Sequence, residues 1–128
     1  MSAIAPNNRQ APVSLTIPAD PGDEVDILQA VAVPDAYASA NGMSTNGGGV
    51  LSLEVDASQA TTDIVLKAYR RATSTSAWSM SFWTATVTAT TVFTDRITGL
   101  GGFNAVRIVA VRVDDAQIVS VSAAIWPI

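Results

Sequence analysis

The stretch Ile97–Val113, ITGLGGFNAVRIVAVRV, decides how this chain is read. Gly99, Gly101 and Gly102 bracket Leu100, so the backbone can reverse there while the leucine plugs the end of a core. Beyond the corner, Val106, Ile108 and Ala110 face one way; Val109, Val111 and Val113 face the other, beside Arg107. Apolar residues on both faces predict a strand covered on both sides, in two layers or at a subunit interface. Asp114-Asp115 then supplies a turn, and Gln117–Ile125 returns as the closing strand.

Working backwards, Thr84–Thr94 is almost entirely Thr, Ala and Val, residues that fit a pleated surface and lose entropy in a helix, so it reads as strand. Trp78–Phe82 alternates and reads as another, with Trp78 and Phe82 toward the core and Trp83 toward the surface. Ile64–Tyr69 and Val50–Asp56 alternate as well, and Glu54 is expected to pair with Lys67 or Arg70 on the neighbouring strand. Residues 35–49, DAYASANGMSTNGGG, form a polar linker with two Asn-Gly pairs that make positive φ accessible, and a contact loop is expected there. In Glu24–Val33, Val/Ile enrichment and Pro34 favour strand over a helix capped by Asp23. Val13–Ile17 is a short strand ended by Pro18, and residues 1–12 form an extended N-terminal arm. About eight short strands, with no convincing helix, predict an all-β, single-domain antiparallel β-sandwich over residues 13–128, immunoglobulin-like or jelly-roll-like.

Composition narrows function further. The chain has 128 residues, enough for one core. Hydrophobic residues make up 48% and charged ones 14%, against roughly 25% charged in an ordinary soluble domain. Residues 72–94 carry no charge, although exposed strand edges are normally guarded by charge or proline. More apolar β-surface than one copy can hide is therefore expected, with the remainder covered by other subunits. The net charge of −4 and the scattered basic residues speak against nucleic acid, and no apolar run reaches the roughly 20 residues of a membrane span. The first residues lack the apolar segment of a secretory signal.

Catalytic chemistry finds few candidates. With no Cys and no His, disulfides, thiolate nucleophiles, Cys/His zinc sites and imidazole bases are excluded. Asp20, Asp23, Glu24 and Asp26 gather around a turn, but the spacing lacks the glycine and distal glutamate of a calcium loop and reads as solvated. Glu54 with Asp56 or Asp63 is a carboxylate pair of no specificity. Gly99–Gly102 opens a strand, not a helix, so no phosphate cradle follows. Trp83 with Tyr37 could offer aromatic faces to a sugar. No catalytic residue, cofactor or metal is expected.

Leu53-Glu54, Ala77-Trp78, Gly99-Leu100, Ala105–Ile108 and Val119–Val121 occur in an order that resembles a recurrent β-sandwich module of tailed-bacteriophage virion proteins. Ala57–Thr62 stands where those modules carry a DGG turn. The corner at Gly99–Val113 is also similar to that of fibronectin type III domains, with Phe103 in the place of a tyrosine. The virion resemblance implies a non-enzymatic structural protein made in a bacterial host cytoplasm and resident in the virion. It implies a capsid decoration, cement or minor capsid protein bound as a homo-oligomer, trimer preferred, to major capsid or tail subunits. A carbohydrate-binding or adhesin module that takes a glycan is the alternative. Interface residues expected on either reading are Ile4, Pro6, Arg9, Tyr37, Met43, Trp83, Phe93 and Trp126.

Overall fold

In a computed structural model of the chain, residues 5–19, 22–28, 42–73, 75–111 and 113–127 are described, and every helix or strand among them is a strand. In chain order these are β1 (Asn8–Ile17), β2 (Glu24–Asp26), β3 (Met43–Ser44), β4 (Val50–Asp56), β5 (Ile64–Arg71), β6 (Trp83–Val87), β7 (Val92–Ile97), β8 (Ala105–Val111) and β9 (Gln117–Trp126). They form two antiparallel sheets: β1-β9-β4-β7, and β2-β8-β5-β6 with β3 also paired to β8. The expected β-sandwich is what the chain forms.

Period-two patterning accounts for the two layers. Leu51, Leu53 and Val55 of β4, Ile64, Leu66 and Ala68 of β5, and Val119, Val121, Ala123 and Ile125 of β9 all point into one core. Val106, Ile108 and Ala110 of β8 join that core, and Val109, which faces away from them, is buried too. The two-sided burial read from the sequence is present.

The glycine corner works as expected. Gly99 and Gly102 both take φ of +83°, and Leu100 between them is fully buried. Its N–H donates to the Gly49 carbonyl (3.2 Å), and its own carbonyl accepts from Phe103 N–H (3.0 Å). Arg70 clamps the outside: its guanidinium lies between the rings of Phe82 (4.4 Å) and Phe103 (4.2 Å), and Nη1 donates to Gly99 O at 2.6 Å.

Four expectations need correction. The Thr-rich run is not one strand: β6 ends at Val87, the chain turns through Thr90 (φ +67°), and β7 begins at Val92 in the other sheet. Threonine allows both outcomes, because its hydroxyl can cap a turn as Thr91 Oγ1 does on Thr88 O (2.7 Å). Trp78–Phe82 is not a strand; Trp78 lies over the Arg71 guanidinium (4.9 Å) and Phe82 over Arg70. Glu54 cannot pair with Lys67 or Arg70, because β4 and β5 belong to different sheets. The arm is intramolecular from Asn8 onward: β1 starts there on β9, and Pro12, which has no N–H to donate, falls in the register break between Gln10 and Val13.

Surplus apolar surface is also absent among the described residues. The exposed large hydrophobics are Val65, Met80, Val92 and Ile118, scattered singly over β5, a loop, β7 and β9. Of the expected contact loop, residues 35–41 lie outside the described residues, as do Asp20 and residues 29–33. Its remainder, Gly42 to Gly49, turns inward from Gly42 to Thr45.

Candidate functional site

Outward residues of the first sheet build an open groove of about 730 Å³, within the range of ligand-binding clefts. Its geometry follows from strand register. Arg9 on β1 stands opposite Ala124 on β9, Ala124 opposite Ser52 on β4, and Ser52 opposite Arg96 on β7. One rung thus carries an arginine at each end and two small residues between them. With neighbouring strands about 4.8 Å apart, the two arginine backbones are about 14 Å apart across a low floor.

Neighbouring rungs complete the walls. Glu54 sits between Ser122 and Thr94 on the next rung. Trp126 closes the far end, its indole Nε1 donating to Ser52 Oγ at 2.9 Å, and Pro6 lies beside it. Beneath the floor, Gln10 is buried and donates Nε2 to Val121 O (3.2 Å), which ties β1 to β9 where the register shifts. Neither the Arg9 nor the Arg96 guanidinium has a carboxylate partner among the described residues.

The opposite face contrasts with it. On the outside of the second sheet, Glu24 accepts from the Tyr69 hydroxyl at 2.9 Å and pairs with Lys67 Nζ at 3.4 Å. Asp26 is paired with Arg107, whose guanidinium lies 5.5 Å from the Tyr69 ring centre. Of the acidic residues read as a solvated turn, Glu24 and Asp26 are therefore cross-strand partners. No group of three or more acidic side chains comes together there, among the described residues, in a way that could hold a metal ion.

This network has a titratable member. Burial, then the Glu24 carboxylate that accepts a hydrogen bond from its neutral hydroxyl, raises the Tyr69 phenol above its ordinary value of 10.0. A raised folded-state value means that the neutral phenol's contribution is complete below that pH and is lost as pH rises through the folded value. Tyr69→Phe is therefore expected to be less stable than wild type at pH 8, with the gap closing above about pH 10; urea unfolding at both pH values measures it. A gap independent of pH would remove the Glu24 contact from the account.

The sequence-derived interface residues divide. Pro6, Arg9 and Trp126 come together at the groove. Trp83 and Phe93 come together elsewhere, on the flank where β6 and β7 lie, with ring centres 6.2 Å apart. Trp83 is not a free platform for a sugar: it is half-buried against Phe93, and its Nε1 is held by Asp95 Oδ2 at 3.2 Å. Met43 is a correction, since it is fully buried in the core as part of β3. Ile4 and Tyr37 lie outside the described residues. Sequence reading missed Ser52, Ser122, Ala124 and Arg96. A signal was there, because Ser120, Ser122 and Ala124 are small on the outward face of a long strand that needs bulk only inward.

No protein-family profile matches the chain, and no curated protein matches it. Among solved structures, a protein of Bacillus endospore appendages, described as a novel family of disulfide-linked pili, is similar over 98% of this chain and 96% of its own. Identity is 10% and the TM-score 0.44, a likeness of general outline that carries no functional weight.

Proposed function

We propose that this protein is a non-enzymatic structural subunit that assembles into a homo-oligomer through the flank where β6 and β7 leave both sheets open. One observation carries the reading: β6 is an edge strand without charge or proline. β7 beside it carries Asp95 and Arg96, and the outer strands of the opposite flank are guarded. β1 carries Arg9, Pro12 and a register break, and β2 is three residues long with Glu24 and Asp26. An unguarded edge offers main-chain donors and acceptors to another strand, the basis of strand addition. Exposed residues through 72–94 keep that approach free of charge repulsion.

The finer placement follows from the sequence resemblance. The subunit sits on the outside of a phage particle, bound to major capsid or tail subunits, as a trimer by preference. A net charge of −4 suits an outer surface better than one that faces DNA. Stoichiometric recovery of the chain from purified particles, and its release on mild dissociation, tests the placement.

Assembly is tested separately. Light scattering at tens of micromolar should show a mass above that of the monomer. Thr84→Lys with Thr86→Lys, two exposed positions of β6, should raise the dissociation constant at least about tenfold, about 1.4 kcal/mol, with the circular dichroism spectrum unchanged. A wild-type chain of monomer mass throughout this range would overturn the reading.

A further inference from the structure

Most charged side chains described in this protein already have a partner. Lys67 pairs with Glu24 and Arg107 with Asp26, Arg70 and Arg71 lie on aromatic rings, Asp56 accepts from Ser58 N–H, Asp63 from Ala89 N–H, and Asp95 from Trp83. Two cations stand apart, Arg9 and Arg96, at the ends of the same rung of the groove. Apart from Glu54 in the same groove, the anions that stand apart among the described residues are the adjacent pair Asp114 and Asp115, both exposed in the turn between β8 and β9.

These two sets cannot meet within one copy. The turn immediately precedes Gln117, whereas Arg9 is in register with Ala124. Seven residues of extended strand separate those positions, roughly 24 Å along β9. Between two copies they can. We infer that the groove receives the Asp114-Asp115 turn of a second copy of this chain, with Arg9 and Arg96 gripping the two carboxylates. The inference rests on the self-association proposed above and adds a second contact to it.

Chemistry and shape agree. Arginine presents a planar fork of donors matched to a carboxylate, and two unpaired arginines fit two carboxylates better than they fit any apolar partner. Ser52, Ser122 and Ala124 keep the floor low enough to admit a hairpin tip. The turn is held ready: Gln117, fully buried, donates Nε2 to Asp115 O at 3.2 Å and accepts Thr61 N–H at 2.7 Å, so little order must be acquired on docking. Among the residues that line the groove Glu54 and Asp95 balance Arg9 and Arg96 in number, but Asp95 is already held by Trp83 Nε1 (3.2 Å) and by Arg96 N–H (2.8 Å). Because groove and turn are different surfaces, the contact is head-to-tail, and copies joined by it close into a ring or extend as a filament.

Charge reversal with complementation tests it. Arg9→Glu with Arg96→Glu, and separately Asp114→Lys with Asp115→Lys, should each weaken self-association at least tenfold by sedimentation velocity at low salt. An equimolar mixture of the two variants should restore it, since each groove then meets a turn of opposite sign. All four positions are exposed or at the surface, and recovery in the mixture shows that both variants are folded. Wild-type assembly by the arginine variant overturns the inference, as does a mixture that stays dissociated, which would assign the groove to another anion such as an acidic glycan. If the β6 lysine variant dissociates while the arginine variant does not, the groove contact falls and the edge contact stands. A monomeric wild type overturns both.

Discussion

Leu100→Ala should lower the unfolding free energy by about 3–4 kcal/mol, the upper part of the range for emptying a leucine site that cannot collapse. The site is rigid for a stated reason. Leu100 is fully buried, and its carbonyl and N–H are both committed, to Phe103 N–H at 3.0 Å and Gly49 O at 3.2 Å. The flanking Gly99 and Gly102 hold φ of +83°, so the backbone has one narrow way to carry the side chain inward. Arg70 blocks movement from outside, with Nη1 on Gly99 O at 2.6 Å and its guanidinium between two rings. The neighbours cannot fill the space, and a cavity remains at the end where the chain passes from β7 to β8. Urea unfolding measures the change. Leu100→Met, which keeps the volume, should cost less than about 1.5 kcal/mol. A loss under about 1 kcal/mol for the alanine variant would mean that the corner is not the closure of the core described here.

That corner was legible in the sequence, and so were the strands with strict alternation, because both signals are local. A glycine on each side of a lone leucine has one economical use, and a polar-apolar repeat of period two has one face to bury. What stayed hidden depends on which strands become neighbours. Glu54 and Lys67 lie on sequential strands, which suggested a pair, but β4 and β5 separate into different sheets, and Lys67 finds Glu24 on β2 instead. The turn at Thr88–Thr91 is hidden for a different reason. Its residues match those of the strands around it, and the reversal depends on distant partners, with Ala57 O accepting from Thr90 N–H at 2.9 Å and Asp63 from Ala89 N–H at 2.9 Å. The groove was half legible. Trp126 and Arg9 stood out as a large aromatic and a cation near the two ends of the chain. Only the register of four strands, two of them neighbours at opposite ends of the chain, shows that Arg9 and Arg96 share a rung.

Gly48→Ala should be at least as damaging as emptying the core at Leu100, and for the opposite reason. The sequence presents Asn46-Gly47-Gly48-Gly49 as a run of interchangeable small residues suited to a flexible loop. The structure separates them. A Cβ on Gly48 would stand 2.4 Å from Ile125 Cγ2, 2.9 Å from Trp126 O and 3.1 Å from Thr45 O. Two of those atoms are backbone oxygens in hydrogen bonds, Trp126 O with Gly49 N–H (3.0 Å) and Thr45 O with Gly48 N–H itself (2.8 Å). The third belongs to a fully buried core residue. Moving any of them breaks a hydrogen bond or displaces the end of β9 from β4, so overpacking at this site is expected to cost about 3 kcal/mol or more. For a chain of this size that lowers the melting temperature by about 10 °C. Gly101→Ala supplies the control, since nothing lies within 4 Å of a Cβ there and its φ is not in the left-handed region; it should leave the melting temperature unchanged within a degree or two. Gly47→Ala falls between, with open space around it but φ of +82°, and should cost about 1 kcal/mol from backbone strain alone. The order Gly48, Gly47, Gly101 in calorimetric melting temperatures is thus fixed by contact, conformation and neither. If Gly48→Ala melts with Gly101→Ala, the segment before β4 does not pack against the end of β9, and the Trp126 end of the groove has no fixed wall.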